Sequence, residues 1–145
     1  MNKPLLALDT NVVLDLLVFD DATARPLRDA LEAGRVRCVV TDATLDEWRR
    51  VLAYPEFGLD AARQTALIAR YQALSETVAA VEAVGGLPHC SDPDDQKFLE
   101  LAAAVRAQAL VSKDRALLKL SRRCAPHFRV MTPAEAVRWL DGLAA

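Results

Sequence analysis

Short apolar runs alternate along this chain with longer stretches in which apolar residues recur every three or four positions. Leu5-Leu6-Ala7-Leu8 is unbroken by polar residues, the pattern of a strand buried on both faces. Val36-Arg37-Cys38-Val39-Val40, Ala109-Leu110-Val111 and Phe128-Arg129-Val130-Met131 are three more candidate strands. Between them, Phe98, Leu101, Ala102 and Val105 stand at i, i+3, i+4 and i+7. Leu67, Tyr71, Leu74 and Val78 keep a similar period, so both sets predict amphipathic helices. Another helix is expected over Val12–Val18. Thr132-Pro133-Ala134-Glu135 places a cap, a proline at the first helical position and a glutamate at the third, opening a final helix to about Leu140. Gly34 and the Gly85-Gly86 pair read as stops. Alternating strands and helices predict right-handed crossovers and a three-layer α/β/α sandwich around a mostly parallel sheet.

Length and composition narrow this further. The chain has 145 residues, 52% of them hydrophobic and 26% charged. That suits one domain spanning 1–145 with a real core, and excludes the low-hydrophobicity, high-charge signature of disorder. Eighteen basic against twenty acidic residues exclude a strongly basic nucleic-acid coat, though not a local basic patch beside an acidic site. No apolar run approaches the ~18–20 residues of a membrane span, so no membrane partner is expected. Met1-Asn2-Lys3-Pro4-Leu5 has no secretory leader character. Cys38, Cys90 and Cys124 are too few and too widely spaced for a disulfide framework or a Cys-x-x-Cys metal site. A cytoplasmic protein is expected.

In a parallel sheet flanked by helices, chemistry gathers beyond the carboxyl ends of the strands. The first strand ends in Asp9-Thr10-Asn11, and the second runs through Thr41 into a helix bearing Glu47. A loop delivers Ser91-Asp92-Pro93-Asp94-Asp95 to the Phe98 helix, and the Ala109–Val111 strand ends in Ser112-Lys113-Asp114. Four segments thus bring carboxylates to one edge. Like charges repel unless a cation neutralises them, and hard divalent ions prefer oxygen ligands, so the pattern points to Mg²⁺ or Mn²⁺, one or two ions.

Each acid also has a plainer role. Asp9 or Asn11 can cap the helix that follows, Asp92 before Pro93 is a good helix-start pattern, and Asp114 suits an N-cap. Asp95 is harder to dismiss. It precedes Phe98 by three and Ala102 by seven, on the stripe facing the sheet, where a carboxylate needs a partner or a metal. Thr44-Leu45-Asp46-Glu47 matches a capping box, which would leave Glu47 only tying off a helix start. If Thr41 or Asp42 caps one turn earlier, Glu47 is free and borders the inward stripe of Leu45, Trp48, Val51 and Leu52, while Asp46 pairs with Arg50 on the surface.

In order and in local context, these residues resemble the PIN-domain ribonucleases. Asp9-Thr10-Asn11 corresponds to that family's acid after the first strand, and Glu47 in Glu47-Trp48-Arg49-Arg50-Val51-Leu52 to its helical glutamate. Asp95, heading Gln96-Lys97-Phe98-Leu99, corresponds to the acid opening a later helix, and Asp114 in Leu110-Val111-Ser112-Lys113-Asp114 to the last. Asp92-Pro93-Asp94-Asp95 and Ser112-Lys113-Asp114 look most like the VapC-like branch of toxin–antitoxin toxins; Ser112 stands where threonine is common.

The resemblance implies a Mg²⁺- or Mn²⁺-dependent endoribonuclease that hydrolyses single-stranded RNA with metal-activated water. Its catalytic acids would be Asp9, Glu47, Asp95 and Asp114. Asp9 and Asp95 would be direct ligands, and Glu47 and Asp114 direct or through water. Asp92 is a further candidate, and Thr10, Asn11 and Ser112 would orient ligands or waters. It also implies an RNA substrate, an antitoxin protein and a homodimer. Arg49, Arg50, Lys113, Arg115, Lys119, Arg122 and Arg123 are candidates for phosphate contacts, the competing reading being solvated helix faces. His89 and His127 read as surface or structural residues, and Trp48 and Trp139 as core or interface. Two rivals stand beside this reading: a Mg²⁺-dependent phosphatase, which wants Asp-x-Asp where this chain has Asn11, and a catalytically silent RNA- or protein-binding module on the same fold.

Overall fold

The computed structural model describes residues 3–82 and 84–144; Met1 and Asn2 of the leader reading lie outside them. Five parallel strands form one sheet in the order β3-β2-β1-β4-β5: β1 Leu5–Leu8, β2 Arg37–Val40, β3 Ser75–Thr77, β4 Ala109–Val111 and β5 Arg129–Met131. The chain winds outward from β1 to β2 and β3, returns to set β4 beside β1, then adds β5. The direction of winding therefore reverses between β1 and β4, which opens a crevice at their carboxyl ends.

Helices cover both faces: α1 Thr10–Leu17, α2 Arg25–Glu32, α3 Asp42–Leu52, α4 Ala61–Leu74, α5 Gln96–Ala104, α6 Arg115–Leu118, α7 Ser121–Cys124 and α8 Pro133–Ala144. The two-residue alternation of the strands divides the core. Leu6, Leu8, Cys38, Val40, Val111 and Met131 pack with Leu14, Leu27, Trp48, Leu67 and Tyr71 on one side. Ala7, Val39, Leu110 and Val130 pack with Phe98, Leu101, Leu117 and Cys124 on the other. The three-layer α/β/α architecture and parallel sheet read from the sequence are therefore present. Trp48 is buried in the first core, its ring edge-on to Tyr71 at 5.8 Å between centroids. The three cysteines are buried and unbonded.

Several local expectations need correction. The α4 stripe stops at Leu74, and Val78 lies beyond a fifth strand that the sequence did not announce. Ser75-Glu76-Thr77 pairs with Cys38, Val39 and Val40, and Glu76 meets Arg37 at 3.2 Å across the pair. A polar edge strand has no apolar run to betray it. The final helix runs to Ala144 rather than Leu140; its predicted start is a reciprocal cap, with Glu135 N–H on Thr132 Oγ1 at 3.1 Å and Thr132 N–H on Glu135 Oε1 at 3.0 Å. Gly34 does follow a helix, at φ +71°, whereas Gly85-Gly86 is a turn within a coil segment. Among the described residues, no helix is long and apolar enough to cross a membrane.

Candidate metal centre at the sheet edge

Asp9 leaves β1 directly into α1. Its backbone N–H continues the ladder to Val111 O at 3.0 Å, so the side chain stands at the β1–β4 crevice. Oδ1 accepts from Asn11 N–H at 3.3 Å, and Oδ2 accepts from the buried Ser112 hydroxyl at 2.7 Å. Ser112 Oγ in turn accepts from Asp114 N–H at 2.9 Å, tying the ends of β1 and β4 together. Asp114 caps α6 through Ala116 N–H at 2.8 Å. The capping readings of Asp9 and Asp114 thus hold.

Asp92, Asp95 and Asp114 each present a carboxylate oxygen such that all three lie within 4.8 Å of one another. Asp92 also accepts from Asp94 N–H at 3.0 Å, which shapes the short 3₁₀ turn Pro93–Asp95. Asp95 is only 8% exposed, and its Oδ2 is buried with no donor facing it. Burial pushes the Asp95 carboxyl up to about 8, helped by side-chain contact with Asp114 and by the charges of Asp9, Asp114 and Asp92. Burial also raises the Asp9 carboxyl, against the Ser112 and Asn11 hydrogen bonds and with the charges of Glu47 and Asp114. An all-oxygen set with a buried orphan oxygen fits a hard divalent cation.

Glu47 is free of the capping box because Thr41 caps α3, reciprocally with Thr44. It falls outside the three-carboxylate set, as does Asp9. Its Oε2 accepts from the Thr10 hydroxyl, and its Oε1 meets Lys97 Nζ at 2.7 Å. Lys97 is the residue that sequence reasoning missed: a lysine two places after Asp95 on a helix looks like an ordinary surface charge. Asp15 was missed too, although an acid inside Val12-Val13-Leu14-Asp15-Leu16-Leu17 is a visible anomaly; it is buried and pairs with Lys113 at 2.6 Å.

Of the candidate phosphate contacts, Lys113 is therefore engaged with Asp15. Arg49 is engaged with Asp46 at 2.8 Å, one position short of the Asp46–Arg50 pair expected from i+4 spacing. Arg50, Arg115, Lys119, Arg122 and Arg123 are exposed, as is Asn11, which offers Asp9 its backbone N–H. His89 is exposed and His127 half-buried. Trp139 packs, partly buried, against the first core.

A family model described as PIN domain matches residues 6–116, which takes in β1 to the start of α6 and every acid above. The chain belongs to the PIN domain family. The fold is also similar to a chain in the crystal structure of VapBC2 from Rickettsia felis bound to a DNA fragment from their promoter. The TM-score is 0.60 at 12% identity, covering 88% of this chain and 98% of that one. No significant match is found among curated proteins.

Proposed function

We propose that the chain acts as one nuclease domain, a Mg²⁺- or Mn²⁺-dependent endoribonuclease that hydrolyses single-stranded RNA, and as the toxin of a toxin–antitoxin pair in the cytoplasm. The observation that carries the reading is Asp95, whose buried oxygen, unpartnered among the described residues, stands in a cluster with the carboxylates of Asp92 and Asp114. Asp92, Asp95 and Asp114 would hold the ion most directly, with Asp9, whose charge acts on Asp95, beside them. A divalent ion there would supply a lowered water pKa and charge neutralisation on the phosphate. The chain's own part is to fix the acids: Ser112 orients Asp9, Thr10 and Lys97 orient Glu47, and the Asp92 cap sets the turn that carries Asp95 inward.

In this reading the attacking group would be water activated by the ion, so the RNA's own 2′-hydroxyl takes no part. The products should then carry 5′-phosphate and 3′-hydroxyl ends. Arg50 and Arg115 are the free cations we assign to phosphate contacts. The protein partners in this reading are an antitoxin and a second copy of the chain; the likeness to a chain of the VapBC2 assembly supports the first. The test is cleavage of an RNA whose 2′-hydroxyls are blocked at the cleaved position. Continued cleavage to a 5′-phosphate product is expected, and a requirement for the 2′-hydroxyl would overturn the chemistry.

A further inference from the structure

Glu47 is the acid whose surroundings differ from the rest. Both of its oxygens are taken, one by Thr10 and the other by Lys97. The ammonium itself is held from three directions: Glu47 Oε1 at 2.7 Å, the Asp94 carbonyl oxygen, and the face of Phe98, 5.1 Å from the ring centroid. The side chains of Lys97 and Glu47 are 24% and 17% exposed, so water screens the pair less than it would a surface pair. Asp92, Asp95 and Asp114 form a separate set, with which no lysine or arginine pairs among the described residues.

Nucleases that use two ions place them about 3.5–4 Å apart, bridged and flanked by carboxylates. In this chain Glu47, whose charge also reaches Asp9, already holds a fixed positive charge. A second divalent ion at Glu47 would have to break the 2.7 Å ion pair and sit against the displaced ammonium. We propose that Lys97 is the second cation of the site, held on Glu47 in the place where a second metal would bind, so that the chain takes one divalent ion on the side of Asp92, Asp95 and Asp114. Glu47 is then the seat of the lysine and not a ligand of the ion. This rests on the metal-dependent reading above.

The experiment is equilibrium dialysis against Mn²⁺, with bound and free ion counted by electron paramagnetic resonance. Wild type should bind one ion per chain, and Lys97→Arg should also bind one, since it keeps the charge. Lys97→Met should bind two, the added ion giving a spin-coupled signal, and Lys97→Met with Glu47→Gln should return to one. If Lys97→Met is unfolded by circular dichroism, Lys97→Gln keeps a hydrogen-bond donor without the charge and carries the same expectation. Two ions in wild type, or one in the neutral variants, would overturn the role of Lys97 while leaving a metal nuclease intact. Loss of folding in both neutral variants would overturn it as well, because Lys97 would then be a structural residue. No ion in wild type would remove the metal centre itself.

Discussion

Asp95→Asn should make the metal-free protein more stable, although it removes an acid from the site. The Asp95 carboxyl is pushed from 3.8 up to about 8. Between those values the native state holds a proton that the unfolded chain has released, so native protein binds more protons and stability falls as pH rises. The slope is about 1.4 kcal/mol per pH unit, and the loss by pH 7 is at most about 4 kcal/mol. Below pH 3.8 this loss is absent, and above about 8 it is complete. The raised Asp9 carboxyl adds a loss of the same sign. Asparagine has no charge to bury and offers an N–H to Asp114. At about 3 °C per kcal/mol for a chain of this size, Tm in EDTA at pH 7 should rise by on the order of 10 °C. Bound Mn²⁺ should do for wild type what the substitution does without metal, adding about 2.7 kcal/mol at a hundredfold excess over Kd. Scanning calorimetry at pH 6, 7 and 8, in EDTA and in Mn²⁺, separates these effects. A variant no more stable than wild type in EDTA, with the same pH slope and the same gain from Mn²⁺, would refute the reasoning.

Three further outcomes are expected. Glu47→Gln should lower RNA cleavage about 10–100-fold, while Asp46→Asn, which loses only a surface pair with Arg49, should cleave at nearly the wild-type rate; equal rates for both would show that Glu47 takes no part in cleavage. Thr132→Ala should cost about 1 kcal/mol in urea unfolding by removing the reciprocal cap of α8, and an unchanged midpoint would show that the cap contributes nothing. Strong expression should slow growth of a bacterial host and Asp9→Asn should not; harmless soluble wild type would count against the toxin role.

Much of this was legible before any coordinates. The four apolar strands announce themselves because burial on both faces leaves no room for polar residues, and their alternation assigns each side chain to one of two cores. β3 escaped because an edge strand is paired on one side and half in water, so Ser75-Glu76-Thr77 carries no apolar signal. Asp95 was readable as an acid on an inward stripe. Its neighbour Lys97 was not, since nothing in the sequence tells a lysine that folds back over Asp94 O from one that points to solvent. Capping did not have to be chosen against the acid-rich edge for Asp9 and Asp114: each puts an oxygen on a backbone N–H of the helix it opens, and their charges still reach neighbouring acids there.

If the acids at the carboxyl edge of β1 and β4 hold a divalent ion with which the chain cuts RNA, cleavage must need both the ion and the acids. Single-turnover cleavage of a single-stranded RNA by purified protein tests it most directly, with Mn²⁺ or with EDTA, for wild type, Asp9→Asn and Asp95→Asn. Wild type should cleave in Mn²⁺ and not in EDTA, and each variant should lose about 100-fold or more, as for the removal of a metal-site residue. Cleavage that persists in EDTA, or that both variants retain, would contradict it.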